Sequence, residues 1–302
     1  MKVLVTGASG FVGRYVLERL LAGGHEVIAL TSHANALPQD SAAQWVQANL
    51  LDPTQITPMM QKVQPQGLIH LAWYAKHGLF WQAADNFDWC SATAHLLQAF
   101  HAAGGKKIVI AGTCAEYDVT HGVMLEVSTP THPSTVYGKC KDVTRQYVQQ
   151  YCHQASLDWV WGRVFFPYGP GEPAMKLIPS VLYALAQSRT VACSHGQQLR
   201  DYLHVSDVAS ALVHLLTQPQ ALGVFNIGSG QATRLADMVN MCTRTFESPS
   251  PVQFGAIAVS ADEPPLIVAD THKLQATGWQ PEVSLQAGLA AYSEVIRRSL
   301  AC

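Results

Sequence analysis

The chain reads as an α/β protein: a doubly wound parallel sheet with a smaller C-terminal α/β lobe. Three observations lead there. Short, continuous apolar runs alternate with helix-sized segments through the first half, a glycine-rich turn at residues 7–13 joins the first run to the first helical segment, and beyond residue 164 the alternation breaks at clusters of Pro and Gly. Continuously apolar strands are buried on both faces, and strand, helix, strand in repetition makes the strands parallel with helices over both faces.

Taken in order, the apolar runs 3–6, 26–30, 67–71, 107–111 and 159–164 predict strands, and the segments 12–22, 53–63, 91–103 and 135–154 predict helices between them. Pro167, Gly169, Pro170, Gly171 and Pro173 then form a loop, and further breaker clusters follow at 248–251 and at Glu263, Pro264 and Pro265. At roughly 150 residues per domain, 302 residues allow about two domains. The expected division is a first domain over 1–165, completed by 199–227, and a smaller discontinuous lobe from 166–198 and 228–302.

Composition narrows the class. Apolar residues make up 48% and charged residues 13%, which describes a compact globule and excludes a disordered chain. Lys plus Arg (19) nearly balance Asp plus Glu (21), so no positive field draws nucleic acid or anionic lipid. Seven cysteines without a Cys-x-x-Cys pair read as reduced thiols. The start lacks the pattern of a signal peptide, and no run of about 18 apolar residues suggests a membrane span. The expectation is a cytoplasmic chain with no nucleic-acid or membrane partner. No His, Cys and Asp cluster has metal-ligand spacing, so no metal is expected.

The turn Thr6-Gly7-Ala8-Ser9-Gly10-Phe11-Val12-Gly13 follows a strand and opens a helix. In that setting Gly7 makes the tight turn, Gly10 lets backbone amides approach a pyrophosphate and Gly13 packs helix on strand, while the helix N-terminus attracts the anion. A dinucleotide cofactor on a Rossmann-type sheet is the reading. The second strand ends Ala29-Leu30-Thr31-Ser32-His33 without the carboxylate that binds ribose hydroxyls and repels a 2′-phosphate. Thr31 and Ser32 can donate to a phosphate, and Arg14 or His33 can add charge, so NADP(H) is favoured, with NAD(H) as the alternative.

Tyr137 and Lys141, four apart in a helical segment, share a face, where an ammonium beside a phenol lowers its pKa for acid or base work. Upstream, the strand 107–111 runs into Gly112-Thr113-Cys114-Ala115-Glu116-Tyr117, and in open α/β sheets ligands sit beyond the carboxyl ends of strands.

With these motifs, and with Asn49-Leu50-Leu51-Asp52, His70-Leu71-Ala72, the segment from Arg163 to Gly169, Arg200-Asp201-Tyr202-Leu203-His204-Val205 and Gly278-Trp279-x-Pro281, the whole chain resembles the extended short-chain dehydrogenase/reductase family, which includes nucleotide-sugar epimerases, dehydratases and ketoreductases. The resemblance implies that Gly7, Ser9, Gly10, Phe11, Val12, Gly13, Thr31, Ser32, Leu51, Asp52, Leu71, Ala72, Trp73, Tyr137, Lys141 and Phe165 line the cofactor. Asp52 would contact adenine, Leu71 and Ala72 would underlie the phosphates, and Lys141 would hold the nicotinamide ribose. Tyr137 would be the acid/base group and Thr113 would hold the reacting oxygen.

Dehydratases of this family carry an Asp-Glu pair after the Thr, where this chain has Cys114 and Ala115, which cannot do that work. Glu116, one place further, either faces the pocket or is a hydrogen-bonded carboxylate near the surface. The missing ribose acid tilts the reading toward an NADPH-dependent ketoreductase acting at C4 of a nucleotide-linked 4-keto-6-deoxyhexose. An epimerase acting through a transient keto sugar is the alternative, and a noncatalytic NADP(H)-sensing protein a third reading. The resemblance assigns Arg200 to the substrate diphosphate, against a structural ion pair with Asp201 or Asp207. Phe166 stands where many relatives place Asn. In the aromatic segment 73–89, Trp73 and His77 are the expected substrate contacts, together with Cys114, Glu116 and Phe166. His70, His95 and His204 are expected to be structural. Pairing of segments 91–103 and 135–154 from two subunits predicts a homodimer.

Overall fold

The structure is a computed structural model that describes residues 1–32, 42–246, 250–259 and 263–301. The chain runs β1 (Lys2–Thr6), α1 (Phe11–Ala22), β2 (Glu26–Thr31), β3 (Gln44–Gln47), α2 (Pro53–Val63), β4 (Gly67–His70), α3 (Asp85–Ala102), β5 (Lys107–Thr113), β6 (Val123–Met124), α4 (Val136–Ala155), β7 (Asp158–Val164) and β8 (Phe166–Tyr168). It continues α5 (Leu177–Ala186), β9 (Val191–Ala192), β10 (Leu199–Arg200), β11 (Tyr202–His204), α6 (Val205–Thr217), β12 (Gly223–Ile227), β13 (Thr233–Arg234), α7 (Leu235–Phe246), β14 (Val252–Gln253), β15 (Leu266–Ala269), α8 (His272–Gln275) and α9 (Leu285–Ala301).

The α/β fold is a seven-stranded parallel sheet in the order β12-β7-β5-β4-β1-β2-β3, with a smaller mixed sheet, β13-β10-β15-β6, in the C-terminal part. Successive residues of β1 face opposite layers. Val3 and Val5 pack with Val16 and Leu20 of α1 and Leu212 of α6, whereas Leu4 packs with Ile56 and Met60 of α2 and Leu97 and Phe100 of α3. Each fully buried aliphatic side chain of this kind contributes about 1.5–3 kcal/mol, which is why both faces must be covered. The strand order reverses between β1 and β4, and the crevice beyond their carboxyl ends is where an open α/β sheet binds ligands.

Most expected elements appear within a residue or two. The expected helix 91–103 begins instead at Asp85, because Asn86, fully buried, anchors the preceding loop. β3 was not expected: Gln44-Trp45-Val46-Gln47 is too polar to read as a buried run, and it survives as the sheet's edge. The chain also crosses between the sheets more often than its breakers suggest. β12 pairs with β7 in the large sheet and α6 packs on α1, whereas β6 and β10 pair with β15 in the small one. Thus Val123 and Met124 leave the large sheet well before residue 165, and Leu199 and Arg200 have not yet returned to it. A third core cluster, including Tyr168, Leu182, Leu185, Met238, Leu289 and Tyr292, holds α5, α7 and α9 together.

Two buried carboxylates fasten these crossings. Asp201 accepts from the backbone N–H groups of Ser229 (2.6 Å), Gly230 (3.0 Å) and Ala269 (3.1 Å), and Asp207 from those of Glu282 (3.1 Å) and Val283 (3.0 Å). Neither is the partner of Arg200.

Candidate active site

The glycine turn is built by exclusion of side chains. Gly7 has φ +66°, and a Cβ there would lie 2.9 Å from the Ala72 nitrogen; a Cβ on Gly13 would lie 2.1 Å from the Gly7 oxygen. Both approaches are closer than real Cβ atoms tolerate, so the loop after β4 and the start of α1 can press on the turn only if these residues are Gly. Gly10 caps α1 with no side chain over the helix end, and the first turn holds no acidic residue. The amides of Phe11, Val12 and Gly13 are therefore offered to an anion, with Ser9 exposed beside them. A dinucleotide pyrophosphate fits this cradle.

Thr6 ties the cradle to its neighbour. Its Oγ1 accepts from the N–H groups of Leu71 (3.2 Å) and Ala72 (3.3 Å) and donates to His70 Nδ1 (2.7 Å). His70 Nε2 in turn donates to Thr93 Oγ1 (3.0 Å), whose own proton goes to the Trp89 carbonyl (2.8 Å). This order of donors fixes His70 as the neutral Nε2–H tautomer, and burial holds its pKa down at about 3. His70 is the structural histidine the sequence suggests.

Thr113, the last residue of β5, is only 9% exposed, and its side chain acts on the Tyr137 phenol so as to lower its pKa. Tyr137 enters at the first turn of α4, which Thr135 caps through the Gly138 N–H at 3.0 Å. The close packing that aims it depends on Gly138, where a Cβ would lie 2.3 Å from the Ala115 oxygen. One turn on, Lys141 is buried, donates to the Ala111 carbonyl at 2.9 Å and lies 3.8 Å from the Trp73 ring centroid. Burial lowers the Lys141 pKa to about 7, against the opposing pull of Glu116. Burial also raises the Tyr137 phenol well above its ordinary value. This differs from the expectation that Lys141 depresses it: the ammonium is turned to Ala111 and Trp73, and desolvation dominates.

An aromatic collar flanks the Tyr137 ring. Phe80 and Trp81 meet the Tyr137 ring edge-on, with centroids 4.9 Å and 5.7 Å away, and the Tyr137 N–H donates to the Trp81 carbonyl at 3.1 Å. Asn86 organises this loop: Oδ1 accepts from Trp73 Nε1 (2.8 Å), and Nδ2 donates to the Phe80 and Ala83 carbonyls (2.8 Å each). A lone buried Asn at the start of a helix is the signal that could have found it. His77 lies exposed on the same loop.

Other expected residues fall differently. Glu116 is fully buried, and both its oxygens are taken by Arg163, Trp161 and the Thr113 N–H, so it offers nothing to a substrate. Phe165 is 4% exposed within a cluster with Tyr117, Met124 and Ile267, which takes it out of the cofactor's path. Cys114 borders that cluster, its thiol pushed up to about 12 by burial. The Asp52 carboxylate caps α2, accepting from the Thr54 N–H (3.0 Å) and hydroxyl (2.6 Å) and from Gln55 Nε2 (2.7 Å), so its oxygens are engaged within its own helix. Asn49, just beyond β3, is exposed, and its Oδ1 accepts from the Leu51 N–H at 3.1 Å. Leu51 is 45% exposed, Thr31 is buried and Ser32 is exposed at the end of β2; His33 lies outside the described residues. Arg200 is 5% exposed; it donates to the Leu199 carbonyl (2.8 Å), pairs with Glu263, and its guanidinium lies 5.7 Å from the Phe166 ring centroid.

Comparison with known proteins agrees with this fold. The chain is 27% identical over 306 residues to a UDP-glucose 4-epimerase of Corynebacterium glutamicum, covering 93% of this chain and 91% of that one. In overall fold it matches the UDP-glucose 4-epimerase of Thermotoga maritima with a TM-score of 0.88 at 23% identity, over 99% of this chain and 100% of the other. It also matches MoeE5, solved with UDP-glucuronic acid and NAD, with a TM-score of 0.84 at 27% identity, over 99% and 100% of the two chains. Residues 3–228, which hold the glycine cradle, Thr113, Tyr137 and Lys141, match the model of one family, and the chain is a member of it: the NAD dependent epimerase/dehydratase family.

Proposed function

We propose that the protein exchanges hydride at C4 of a nucleotide-linked sugar, with Tyr137 moving the proton at the C4 oxygen, and that 4-epimerisation is its net reaction. The observation that carries this reading is the start of α4 with Tyr137 pressed onto the turn that follows Thr113, with Lys141 one helical turn away, beside a cradle that only Gly7 and Gly13 permit. Sequence alone leans toward a ketoreductase; the 4-epimerases among the relatives move the weight to epimerisation.

The bound dinucleotide supplies hydride acceptance and donation. Its phosphates are assigned to the amides after Gly10, its ribose to Lys141 and its adenine to the neighbourhood of Asn49 and Leu51. NAD is the cofactor named with MoeE5, and the preference for NADP(H) rests on the missing acid after Thr31. Thr113 holds the C4 oxygen. As a phenolate, Tyr137 would take the C4 hydroxyl's proton as the hydroxyl becomes a ketone and, as the phenol so formed, return it on the way back, a role worth about 10²–10⁴ in rate. The Arg200 fork suits a diphosphate, which must displace Glu263 to use it. Trp81, 43% exposed beside Tyr137, offers a flat apolar face to the sugar. The exposed Phe87, Val143 and Tyr147 on α3 and α4 fit the surface of a homodimer.

One observation favours a second reading, C4 ketoreduction. The buried Tyr137 is held in its protonated form, which suits giving a proton to a ketone oxygen. Incubation of UDP-hexoses with NAD or NADP, and of nucleotide 4-keto-6-deoxyhexoses with NADH or NADPH, separates the two. Inverted product without net cofactor oxidation supports epimerisation; stoichiometric oxidation supports reduction; cofactor binding without either leaves a sensor.

A further inference from the structure

Glu116 stands on the one-turn 3₁₀ segment after β5, three residues beyond Thr113, and is 0% exposed. Its Oε1 accepts from the Thr113 N–H (2.8 Å) and Trp161 Nε1 (2.9 Å), and its Oε2 from Arg163 Nε (2.7 Å). The Arg163 guanidinium lies 4.1 Å from the Tyr117 ring centroid, and Tyr117 donates to Asn226 Oδ1 at 2.7 Å. Asn226 Nδ2 donates to the Met124 (2.8 Å) and Asp270 (3.1 Å) carbonyls, so one chain of contacts runs from the reacting turn to the small sheet. Room for the carboxylate exists because residue 112 is Gly: a Cβ there would lie 2.1 Å from Trp161 Nε1 and 2.7 Å from Glu116 Oε1.

Stability is a poor reason for such a pair, since well-packed apolar residues often replace a buried ion pair at no cost. Its place is the better explanation. The Thr113 side chain accepts from the Ala115 N–H while the Glu116 side chain accepts from the Thr113 N–H, a reciprocal cap that locks the backbone carrying the Thr113 hydroxyl.

We propose that Glu116 is a positioning residue of the Thr113, Tyr137 and Lys141 centre: its carboxylate, held by Arg163 and Trp161, fixes the peptide that aims the Thr113 hydroxyl and supplies the buried negative charge behind the Lys141 ammonium. This deepens the proposed function and rests on it. Glu116 and the Cys90 thiol on α3 act on Lys141, Lys141 in turn acts on His70 on β4, and Glu116 and Cys114 act on Tyr137; Glu116 favours the ammonium and opposes ionisation of Tyr137.

Two variants test it. Glu116→Gln keeps an acceptor and removes the charge, and the double variant Glu116→Leu/Arg163→Met removes the pair without leaving an unpaired charge, so that folding is kept. The readouts are the ¹³Cε titration of Lys141 by NMR, NADH binding by fluorescence, and kcat and KM on the substrate identified from the panel. Expected are NADH affinity and KM near wild type, a Lys141 titration moved to lower pH in both variants, and a kcat lower by about ten- to a hundredfold in the double variant, as for a misplaced reacting group. Part of that loss should be recovered in Glu116→Gln. An unmoved Lys141 titration, or wild-type kcat in the double variant, overturns the proposal. Wild-type protein that turns over no nucleotide sugar while its Lys141 titration moves as expected in the variants sinks the proposed function and supports the positioning charge.

Discussion

Replacing Lys141 by Met should make the protein more stable and catalytically dead, with the gain confined to one pH range. Burial sets the Lys141 pKa at about 7 in the folded protein against an ordinary value of 10.5. At about 1.4 kcal/mol per unit, that difference is on the order of 5 kcal/mol spent on keeping the ammonium in the fold below pH 7. The bond to the Ala111 carbonyl and the Trp73 face return part of it, about 1.5–3 and about 2 kcal/mol respectively. A net gain of about 0–1.5 kcal/mol is expected for Lys141→Met at pH 6. The sign follows from proton binding. Between about pH 7 and 10.5 the unfolded chain holds the lysine proton and the folded chain does not, so wild-type stability rises with pH across that window. Below pH 7 both states are charged and the full cost remains; above 10.5 both are neutral and the gap to Lys141→Met closes. Urea unfolding of both proteins at pH 6, 8 and 10, followed by tryptophan fluorescence, measures this. A Lys141→Met protein less stable than wild type at pH 6, or a gap indifferent to pH, would refute the reasoning.

Tyr137→Phe should lose about 10²–10⁴ in kcat with NADH affinity unchanged, read by turnover and fluorescence titration. Gly13→Ala places a Cβ 2.1 Å from the Gly7 oxygen, so the turn must open; about 1–3 kcal/mol of stability and most cofactor affinity should go together, seen as a lowered Tm that added NAD no longer raises. His70 stays neutral down to about pH 3 in the fold, so the unfolded chain alone takes up its proton as pH falls below 6.5, and stability is lost across that window. Denaturation at pH 7 and 4.5 should show about 2–3 kcal/mol more acid loss in wild type than in His70→Phe. Arg200→Ala should weaken UDP binding by about ten- to a hundredfold by calorimetry, the worth of a charge-assisted fork, with NADH binding unaffected.

The large sheet was legible because its strands are continuous apolar runs, and the cradle because Gly7 and Gly13 sit where only a missing side chain lets two backbones meet. Thr113, Tyr137 and Lys141 were legible from order along the chain, and the structure brings them to one crevice. What spacing cannot show is which way a side chain turns. Asp52 and Glu116 are both carboxylates near the motifs, yet one is spent capping α2 and the other is buried beneath Thr113 by Arg163. Phe165 and Phe166 are neighbours in the chain, yet only the first is sealed in the core, with Phe166 packed half-buried against it. Arg200 was expected to pair with an acid nearby in sequence if it paired at all; its partner, Glu263, comes from the approach to β15. Long-range pairings of this kind are set by the small sheet, whose two- and four-residue strands leave little trace in a hydropathy pattern.

Transfer of hydride at C4 is tested most directly with UDP-galactose deuterated at C4. The account predicts C4 inversion with the deuterium retained in UDP-glucose, slower turnover than with the unlabelled sugar, and no inversion by Tyr137→Phe. Loss of the deuterium to water, or inversion by Tyr137→Phe at the wild-type rate, would contradict it.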